Sequence, residues 1–592
     1  MCGIFAYIGK KDNAAELTLT GLKILEYRGY DSWGIAVKKD KKLEVDKRIG
    51  KIGDAKVSLP KSNLAIGHTR WATHGGVTVE NAHPHLDCKK EIAVVHNGIV
   101  ENFGKLKEEL IKKGHKFISE TDTEVIPHLI EENLKGGLPA GRQGFSSSVR
   151  KVFNKLQGLN AIVVAYAPSA EIIAVKNGSP LVVGIGDGEL FLASDITSFI
   201  QKTRKVIFLK DNELVILGKD VQLVSSRDGK QLPVIPETVD WKFELATKGK
   251  FSHFMIKEIY EQPNVIRNIA KNYEGDINAL AKVVDKARGT FFIGAGTAFN
   301  AALAGTYLFS KLAKMHVNTA VASEFNYILD FLNKDSLVIA LSQSGETIDV
   351  LEPLNKAKEK GSKIVAVVNT LGSSIYRMAD YKILLNAGPE KAVASTKAYI
   401  AKLSVILMLV YSLMGKTEEA KNLLLSAALE IDRNLEKKNL DKIKKLANFL
   451  SKAPNIYVIG RGVSYPSALE AALKIKEVSY IPTEGLAGGE LKHGTIALIS
   501  KGTPVVVFAP NDETYQSIVS NAIEIKSRGG VIIGVSPKNL PVFDYFLEIE
   551  DIGDATYIAQ IVVAQLLAYY MAVDLKLDPD KPRNLAKSVT VK

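Results

Sequence analysis

The sequence predicts a multidomain α/β protein whose two halves are organised differently, and three observations support this prediction. The 592 residues are too many for a single hydrophobic core. Residues 1 to about 240 alternate short apolar runs with turn signals, a pattern typical of antiparallel sheets in two layers. Residues from about 250 onward alternate continuous apolar strands with amphipathic helices, a pattern typical of parallel sheets with helices on both faces.

In the first half, the apolar runs predict strands and two longer amphipathic stretches predict helices. Expected strands are Gly34–Val37, Leu64–Gly67, Ile92–Val95, Ala161–Val164 and Pro180–Val183, and expected helices are Ala14–Tyr27 and Thr123–Leu134. The Gly- and Ser-rich stretch Gly136–Ser148 predicts an inserted surface loop. Between about Gly218 and Lys248 the strand signals become sparse, which indicates the start of a linker.

Composition argues against several classes of function. The apolar fraction of 46% and the charged fraction of 24% are typical of soluble globular proteins. No uninterrupted apolar run reaches the roughly 18 residues that span a bilayer, and no leader segment is evident. The formal charge of +12 comes from Lys and Arg interspersed with acids, which favours a solvated surface over a nucleic-acid patch. The two cysteines, Cys2 and Cys88, fit a reducing cytoplasm, so we expect a cytoplasmic protein without membrane or nucleic-acid partners.

The first five residues, Met1-Cys2-Gly3-Ile4-Phe5, place a thiol directly after the initiator methionine. Removal of Met1 would give Cys2 a free α-amine that titrates near pH 8. Such an amine can take the thiol proton without a histidine partner. Since Ile4 to Ile8 is typical of a buried strand, the nucleophile would lie at the start of a sheet strand. An inert cysteine is the alternative that these residues leave open.

Polar loops follow the predicted strands and helices of the first half. They are Arg28–Ser32, His68–Gly75, His96–Asn102 and Ser119–Glu124. Together with the initial Cys2, these motifs in this order resemble the glutaminase domain of class II glutamine amidotransferases. The resemblance implies a four-layer αββα N-terminal-nucleophile fold and L-glutamine as a substrate.

The resemblance also implies a role for each polar residue. Cys2 would be the nucleophile, and Asn97 with the backbone N–H of Gly98 would form the oxyanion hole. Arg70 would bind the glutamine α-carboxylate with its planar guanidinium, and Asp122 would bind the α-ammonium. The other glutamine-site residues would be Trp71, Thr73 and His74 in the pocket wall and Arg28 at its lid. A structural ion pair at Arg70, a hairpin turn at Asn97-Gly98 and a helix cap at Asp122 remain open alternatives.

Histidines are frequent in these loops, which raises the question of a metal site. His83-Pro84-His85 has suitable residue types, and His68, His74 and His96 occur nearby in the sequence. No cysteine or carboxylate pattern completes a site around them. We therefore expect pocket-wall histidines, with no metal and no cofactor.

The second half contains an internal repeat at a spacing of about 166 residues. Thr290–Thr297 matches Ile456–Val463, and two further strand pairs match in the same order. Those pairs are Ser336–Leu341 with Thr503–Phe508, and Lys363–Val368 with Gly530–Val535. Two copies of one doubly wound α/β domain are the simplest explanation. Each copy opens with Gly-x-Gly, but Phe299 and Tyr465 occupy the third glycine position of the dinucleotide fingerprint, which argues against nucleotide binding.

The segment Ser342-Gln343-Ser344-Gly345-Glu346-Thr347 lies between a predicted strand and a predicted helix. Hydroxyls and backbone N–H groups at a helix N-terminus form a ready site for phosphate. A simple helix cap is the alternative, but it needs only one hydroxyl. This loop, the repeat, and Val393-Ala394-Ser395-Thr396-Lys397 resemble the sugar isomerase (SIS) domains that bind phosphosugars.

The second copy adds Glu470, Lys474 and Glu477 on one helical face, a histidine at position 493, and a tail that contains Lys587. With these features the whole chain resembles the isomerising glutamine–fructose-6-phosphate aminotransferases. Their reaction makes D-glucosamine 6-phosphate and L-glutamate, the first step toward UDP-N-acetylglucosamine. The domain boundaries expected are 2–240 for the glutaminase, 241–275 for a linker, 276–420 and 446–582 for the two SIS domains, and 583–592 for a catalytic tail.

The resemblance implies a sequence of steps on D-fructose 6-phosphate. Its phosphate would bind the Ser342 loop, His493 would open the ring, and Lys587 would form a Schiff base at C2. Ammonia from Cys2 would arrive through an internal passage, and Glu477 would move the proton from C1 to C2. The sugar-site residues implied are Thr297, Ser342, Gln343, Ser344, Thr347, Val393, Ser395 and Lys474. The family borrows the histidine from a second subunit, so a homodimer is expected.

Two positions depart from the family pattern: Ala295 and Ala298 stand where relatives often have Cys and Ser. Ala298 removes one hydroxyl that would contact the phosphate, which puts phosphate affinity in doubt. Two other functions remain open, an amidotransferase for another sugar phosphate and a phosphosugar-binding regulator with an inactive glutaminase.

Overall fold

The computed structural model describes residues 2–135, 142–239 and 247–590, except for the side chains of residues 142 and 143, and the chain divides into two compact units. The first unit comprises Met1–Ala246 and Ala586–Lys592, and the second comprises Thr247–Leu585. The last residues of the chain thus group with the first unit.

The first unit is built from antiparallel strands and a few helices. Its strands are β1 (Gly3–Gly9), β2 (Ser32–Lys39), β3 (Lys42–Ile49), β4 (Leu64–Arg70), β5 (His85–Leu86), β6 (Ile92–Gly98), β7 (Asn160–Tyr166), β8 (Glu171–Lys176), β9 (Val182–Ile185), β10 (Glu189–Ala193), β11 (Lys205–Phe208), β12 (Glu213–Leu217), β13 (Val221–Ser225), β14 (Gln231–Leu232) and β15 (Glu237–Thr238). Its helices are α1 (Ala14–Leu25), α2 (Phe103–Lys112), α3 (Val125–Lys135) and α4 (Arg142–Phe153).

These strands form two sheets, which stack face to face. One has the order β15-β11-β9-β10-β1-β4-β2-β3 and the other β14-β13-β12-β8-β7-β6-β5. In β1, Ile4 and Ala6 face the core between the sheets, whereas Phe5 and Tyr7 face the layer that contains α1. Helices α2, α3 and α4 cover the outer face of the second sheet. The predicted αββα layering is therefore confirmed, because alternate residues along each strand face different layers.

One local prediction in this unit is wrong. Residues 142–148, expected in a surface loop, lie in α4, where Phe145 and Ser148 are fully buried. The apolar residues Phe145 and Val149, one helical turn apart, give the segment a face that packs on the sheet. The remainder of the expected loop, 136–141, lies outside the described residues. Strands β13 to β15 lie between residues 218 and 239, where few strands were expected, and residues 240–246 lie outside the described residues.

The second unit contains parallel strands and many helices. Its strands are β16 (Gly289–Gly294), β17 (Asn318–Val321), β18 (Ser336–Ser342), β19 (Lys363–Val368), β20 (Tyr381–Leu384), β21 (Ile456–Gly460), β22 (Thr483–Ala487), β23 (Pro504–Phe508), β24 (Val531–Ser536) and β25 (Tyr545–Glu548). Its helices are α5 (Phe254–Asn272), α6 (Glu274–Lys286), α7 (Thr297–Leu308), α8 (Ala322–Phe325), α9 (Ile348–Glu359), α10 (Ser374–Met378), α11 (Lys397–Leu413), α12 (Thr417–Asn434), α13 (Lys437–Leu450), α14 (Ser464–Ser479), α15 (Tyr515–Lys526) and α16 (Thr556–Asp574).

The two parallel sheets of this unit have the same topology, which confirms the internal repeat. Their strand orders are β17-β16-β18-β19-β20 and β22-β21-β23-β24-β25. Helices cover both faces of each sheet, as predicted for doubly wound domains. In this order the chain reverses direction across the sheet between β16 and β18, and between β21 and β23. Ligands bind at such switch points, beyond the carboxyl ends of the strands.

Two helices of this unit bear on the sequence predictions. Helix α5 lies within residues 241–275, the expected linker, and its Ile259 and Ile266 belong to the core of the unit. The segment Gly553–Asp574, which includes α16, is long and apolar enough to cross a membrane by length and composition alone. However, 89% of its apolar window is buried inside the structure, where α16 contacts α13 and α14.

Candidate active sites

Cys2 lies immediately before β1, beside the end of β4. The pairing of Gly3 with Thr69 places the thiol next to Trp71. Cys2 Sγ accepts the backbone N–H of Trp71 at 3.2 Å and lies 3.6 Å from the carbonyl oxygen of Trp71. A backbone N–H at this distance stabilises a thiolate, the reactive form of cysteine. The geometry therefore suits a nucleophile.

Asn97, near the end of β6, is held beside Cys2 by several hydrogen bonds. Its Nδ2 donates to the carbonyl oxygen of Cys2 at 3.0 Å and to Ser194 Oγ at 3.2 Å. Its Oδ1 lies 3.1 Å from His68 Nε2. The side-chain amide thus has a fixed orientation, with its nitrogen toward the nucleophile. The residue lies within a strand and not in a hairpin turn, which removes that alternative.

The buried His68 explains this orientation. Its Nε2 also lies 3.0 Å from the carbonyl oxygen of His96 and 3.2 Å from His83 Nδ1. Because the two oxygens near this nitrogen, those of Asn97 and His96, can only accept, the nitrogen carries the proton. Burial lowers the pKa of His68 to about 3, which keeps the ring neutral. Sequence analysis treated His68 only as a pocket-wall residue. The signal for its role was its place directly before the Thr69-Arg70-Trp71 segment that contacts Cys2.

Gly98 has a backbone conformation that requires glycine. Its φ is +141°, and a Cβ there would lie 2.2 Å from the carbonyl oxygen of Leu159. The backbone at the end of β6 therefore approaches β7 more closely than any side chain permits. This close packing fixes the peptide that precedes the polar loop.

Arg70 is almost completely buried at the end of β4. Its guanidinium donates to the carbonyl oxygens of His74, Gly75 and Gly76, at 3.2 Å and 3.0 Å for the last two. Burial lowers the pKa of Arg70, although Cys2 and nearby carboxylates oppose this effect. Since the guanidinium contacts the carbonyls of residues 74–76, it fixes the shape of this loop. Among the described residues, the Arg70 guanidinium makes hydrogen bonds to this loop in place of the structural ion pair considered above.

Asp122 begins a single 3-10 turn, Asp122–Glu124, directly before α3. Its Oδ2 accepts the backbone N–H of Val100 at 2.7 Å, and the residue is buried. The hydrogen bond joins the turn to the loop after β6. Asp122 therefore links two polar loops instead of capping the helix.

One cavity brings together most of the predicted glutamine-site residues. Its lining includes Cys2, Arg70, Trp71, Thr73, His74, Asn97, Gly98 and Asp122. Sequence analysis did not anticipate that Thr121, Thr123 and Thr590 also line it. Thr590 comes from the chain terminus, a contact that no local pattern signals.

Arg28 is not among the residues that line this cavity. Its Nε donates to the carbonyl oxygen of Cys2 at 3.4 Å, and its Nη1 lies 3.7 Å from Asp195 Oδ2. Arg28 therefore contacts the backbone of Cys2 and does not contact the cavity. The structure places it as a support for Cys2, whereas the sequence prediction had it at the lid.

In the second unit, the loop after β18 is preorganised for an anion. Ser342 Oγ accepts the N–H of Gly345 at 3.0 Å, and Ser344 Oγ accepts the N–H of Glu346 at 3.2 Å. Thr347 is the N-cap residue of α9, and its side chain makes no capping hydrogen bond. Gly345 has φ +65°, and a Cβ there would lie 2.1 Å from Ser373 Oγ. The loop therefore coils tightly, with the positive end of the α9 dipole behind it.

A buried polar network joins the carboxyl end of β16 to helix α14. Thr297 Oγ1 donates to Glu470 Oε1 at 3.0 Å, and Lys474 Nζ donates to Thr297 Oγ1 at 2.9 Å. Lys474 also donates to Glu477 Oε2, and Asn300 Nδ2 donates to Glu470 Oε2 at 2.8 Å. Lys474 and Glu470 are fully buried, whereas the side chain of Glu477 is 19% exposed. Glu477 is thus the acid of this network that a bound ligand can reach.

The charge state of Lys474 follows from its neighbours. Burial alone would lower its pKa, but the carboxylates of Glu477 and Glu470 raise the pKa above the ordinary value. Lys474 therefore remains an ammonium ion. A fixed positive charge beside Glu477 suits the stabilisation of negative charge on a sugar oxygen.

The loop before α11 contains Val393 and Ser395. Ser395 Oγ donates to Glu390 Oε2 at 2.9 Å, and the other oxygen of Glu390 accepts the N–H groups of Thr396 and Ala398 at 2.9 and 3.0 Å. Val393 N donates to the carbonyl oxygen of Asp580 at 3.0 Å. The buried Glu390 therefore fixes the shape of this loop, a role that sequence analysis missed.

His493 lies at the other switch point. It is exposed and lines a pocket together with Arg461, Lys492 and Tyr307. Of the residues predicted for the sugar site, His493 alone lines this pocket in the part of the chain that the structure describes. The structure does not bring His493 to the Ser342 loop within one chain.

The start of the tail is anchored on the end of α14. Arg583 N donates to the hydroxyl of Tyr480 at 2.7 Å, and its guanidinium lies 4.3 Å from the centre of the Tyr480 ring. Tyr480 follows α14 directly, three residues after Glu477. Lys587 itself is half-buried and belongs to the segment that groups with the first unit.

The folds and sites define a glutamine amidotransferase domain joined to two sugar isomerase domains, and family models agree. The glutamine amidotransferase domain model matches residues 68–201, and the SIS domain model matches residues 284–412 and 449–574. The chain belongs to the family of isomerising glutamine–fructose-6-phosphate aminotransferases, since it aligns with curated members over its full length.

The glutamine–fructose-6-phosphate aminotransferase (isomerizing) of Thermococcus kodakarensis is 44% identical, with 100% of both chains covered. The enzyme of the same name from Pyrococcus horikoshii is 43% identical, again with 100% of both chains covered. Among solved structures, the C-terminal domain of glucosamine-fructose-6-phosphate aminotransferase from Francisella tularensis is similar. It has 30% sequence identity and a TM-score of 0.52, and the match covers 56% of this chain and 99% of that chain.

Proposed function

We propose that this protein converts L-glutamine and D-fructose 6-phosphate into L-glutamate and D-glucosamine 6-phosphate. The observation that carries the proposal is the buried Thr297–Lys474–Glu477 network at a switch point, in a chain that also holds the Cys2 pocket. A glutaminase alone would not need the Thr297–Lys474–Glu477 network. A sugar isomerase alone would not need the Cys2 pocket. The product would enter the synthesis of UDP-N-acetylglucosamine.

In the first half-reaction, Cys2 Sγ attacks the side-chain amide carbon of glutamine after Met1 has been removed. The free α-amine takes the thiol proton, and the oxyanion is stabilised by Asn97 Nδ2 and the N–H of Gly98. Collapse of the tetrahedral intermediate breaks the C–N bond and releases ammonia. Water then hydrolyses the thioester to glutamate and restores the thiol.

Glutamine is oriented by its α-carboxylate and α-ammonium groups. Arg70 binds the carboxylate once the loop His74–Gly76 has moved, because its guanidinium contacts the carbonyls of that loop. Asp122 takes the ammonium with its Oδ1, since Oδ2 accepts the N–H of Val100. Trp71, Thr73 and His74 form the wall.

In the second half-reaction, the loop Ser342–Thr347 binds the phosphate of the sugar. The hydroxyls of Ser342, Ser344 and Thr347 and the amide of Gln343 surround it, and the α9 dipole adds attraction. Thr297, Val393 and Ser395 complete the wall on the sugar side. Ala298 supplies no hydroxyl, so backbone N–H groups and Thr347 provide more of the phosphate affinity.

The nitrogen is introduced at C2 of the open-chain ketose. The neutral amine of Lys587 attacks the ketone and water leaves, which forms an imine. Ammonia adds to that carbon and displaces the lysine. Glu477 then removes a proton from C1 and returns it to C2, while the Lys474 ammonium stabilises negative charge on the sugar oxygens. The sugar is released as the aldose amine.

The tail anchor supports the assignment of Lys587. Arg583 is fixed on Tyr480, at the end of the helix that carries Glu477 and Lys474. A solvated surface lysine would need no such anchor.

A homodimer completes the site in this proposal. His493 lines a separate pocket in its own chain, so the histidine that opens the sugar ring would come from a second copy. The two free cysteines fit a cytoplasmic location. We assign the glutaminase to residues 2–240, the SIS domains to 276–420 and 446–582, and the catalytic tail to 583–592. These ranges enclose the family matches. The expected linker, 241–275, contains α5, which packs in the core of the second unit and is therefore part of that unit.

Trapping of the Lys587 imine tests this proposal. Borohydride added together with fructose 6-phosphate should reduce the imine and leave the sugar on the terminal peptide, where mass spectrometry locates it. Lys587→Ala should lose the adduct and product formation but keep glutamine hydrolysis, and Lys581→Ala, just before the tail, is the matched control. An adduct on another lysine, or normal product formation by Lys587→Ala, would reject the assignment.

A further inference from the structure

Four side chains with metal-ligating atoms converge in the first unit, away from the Cys2 pocket. Cys88 follows β5, His115 follows α2, and His128 and Glu131 lie one turn apart on α3. Their ligand atoms all lie within 4.8 Å of one another. The three residues other than Cys88 are almost completely buried. None of the four has a role in the proposed reaction.

The spacing of these atoms is that of a tetrahedral zinc shell. With Zn–S near 2.3 Å and Zn–N near 2.0–2.1 Å, tetrahedral geometry puts sulfur about 3.6 Å from each nitrogen and the nitrogens about 3.4 Å apart. Cys88 Sγ lies 3.7 Å from His115 Nδ1 and 3.6 Å from His128 Nδ1. The two Nδ1 atoms lie 3.3 Å apart. These three distances, among the sulfur and the two nitrogens, are each within about 0.2 Å of the expected value, the usual tolerance for a metal site.

The fourth vertex is an oxygen of Glu131. Its Oε2 lies 3.4 Å from His115 Nδ1 and 3.8 Å from His128 Nδ1. The same oxygen accepts the N–H of Cys88 at 3.2 Å, which fixes it relative to the sulfur. A thiolate, a carboxylate and two neutral imidazoles carry a charge of −2, which a divalent cation neutralises.

Neighbouring groups orient the ligands as they do in known zinc sites. His115 Nε2 lies 3.0 Å from Glu132 Oε2, so the imidazole has a carboxylate on the side opposite the ligating atom. His128 Nε2 lies 3.8 Å from Glu124 Oε1, and the ring of Phe117 packs against the His128 ring. This arrangement leaves both Nδ1 atoms directed at the common centre. Cys88, the exposed ligand, provides a route from solvent.

We propose that Cys88, His115, His128 and Glu131 bind one structural Zn²⁺ ion. Four protein ligands close the coordination shell, so the ion has no open position for a substrate or water. It would join the turn after β5, the segment after α2 and helix α3. The turn that carries Asp122 directly precedes α3, and its Glu124 accepts the N–H groups of Ile118 and Ser119, which follow His115 in the chain. The ion therefore holds the segment that presents Asp122 to glutamine.

Local sequence patterns give little indication of this site. The ligands are separated by 26, 12 and 2 residues, a spacing far from the paired short intervals of zinc fingers. The histidines considered from sequence were those of the strand loops, such as His83 and His85. Only the fold brings His115 and His128 to Cys88.

Metal content of the full-length protein provides the first test. Protein purified after growth with Zn²⁺ should contain about one Zn²⁺ per chain by mass spectrometry of the metal. The His128→Ala protein should contain less than about 0.1 Zn²⁺ per chain. His316 is an exposed histidine outside the cluster, and His316→Ala should leave the zinc content unchanged. Equal metal content in the His128→Ala protein would overturn the proposal.

A second test does not depend on a ligand variant that folds. Because the chain has two cysteines, Cys88 is the only thiol in Cys2→Ala protein. Labelling of that thiol by a maleimide should be at least about ten-fold slower with Zn²⁺ than after removal of the metal by a chelator. Co²⁺ in place of Zn²⁺ should give the visible absorption of a tetrahedral site and a thiolate charge-transfer band. Equal labelling rates, or an octahedral cobalt spectrum, would show that these residues form only a hydrogen-bonded cluster.

Discussion

His68 Nε2 lies 3.1 Å from Asn97 Oδ1, and this contact sets the direction of the Asn97 amide. The neutral histidine donates, so the amide oxygen turns toward His68 and the amide nitrogen toward Cys2. The two ends of the amide are nearly equivalent in shape, so the orientation depends on this donor together with the Cys2 carbonyl oxygen, which accepts from the amide nitrogen. An oxyanion hole depends on a donor that is already oriented before the charge develops.

The first prediction concerns this contact. His68→Leu should lower kcat for glutamine hydrolysis by about ten-fold or more and change KM little, because the amide of Asn97 loses its fixed orientation. His68→Gln, which retains an N–H donor, is the matched control and should recover part of the rate. Steady-state kinetics without sugar measure both values. An unchanged kcat, or an effect on KM alone, would contradict the positioning role.

The second prediction concerns the phosphate loop. Thr347→Val removes a hydroxyl whose side chain does not cap α9, so the helix should remain intact. Loss of one hydrogen bond to a charged group costs about 1.5–3 kcal/mol, and binding of fructose 6-phosphate should weaken by about ten-fold to a hundred-fold. Calorimetry measures this directly. Glutamine hydrolysis without sugar is the internal control, and an unaltered dissociation constant would reject the phosphate role.

The third prediction concerns the proposed exchange of His493 between subunits. His493→Ala and Glu477→Gln should each abolish synthesis of glucosamine 6-phosphate. Co-expressed, they should form mixed dimers in which one of the two sites is intact, and activity should return to about a quarter of the parent value. Co-expression of two differently tagged Glu477→Gln chains is the control. If the mixed sample is as inactive as either parent, His493 acts within its own chain.

The fourth prediction concerns acid stability. Burial lowers the pKa of His68 to about 3 and the pKa of His83, His85 and His96 below the ordinary value of 6.5. The unfolded chain therefore binds more protons than the folded chain below pH 6.5, and stability falls as the pH decreases. The titration of His68 alone should lower the free energy of unfolding by about 2 kcal/mol between pH 6.5 and 5, at 1.36 kcal/mol per pH unit.

Tryptophan fluorescence in urea measures this effect in the first unit, because the three tryptophans all precede residue 247. His68→Gln should show a shallower dependence on pH than the parent protein, since it cannot titrate. Equal stability of the parent at pH 6.5 and pH 5 would show that these histidines are protonated in the folded state.

The sequence predicted much of the architecture because its periodicity was clear. The short apolar runs separated by turn signals in the first half indicated antiparallel sheets correctly, and the continuous apolar runs of β18 and β23 indicated parallel sheets correctly. Helix α4 was missed because its glycine and serine content favours a loop, and only packing of Phe145 against the sheet overrides that preference. The secondary-structure propensity of this segment therefore gave the wrong prediction, because the burial of a few residues decides its structure.

The polar residues of the sites were predicted well where they occur in short motifs. Cys2, Arg70, Asn97 and Asp122 meet in one cavity, as the resemblance of their motifs to glutamine amidotransferases implied. The contacts made by His68, Glu390 and Thr590 depend on strand register and on the path of the tail, which no local pattern specifies. The same limit hid the Cys88 cluster, whose ligands come from three separate segments.

The central claim is that one chain transfers the amide nitrogen of glutamine to fructose 6-phosphate. The protein should therefore be incubated with amide-¹⁵N glutamine and fructose 6-phosphate, with Cys2→Ala protein as the control. Mass spectrometry and ¹⁵N NMR should show the label at the C2 amino group of glucosamine 6-phosphate, with one glutamate released for each product. Cys2→Ala should transfer no label. Glutamate and free labelled ammonia with unreacted fructose 6-phosphate, or a different labelled amino sugar, would contradict the account.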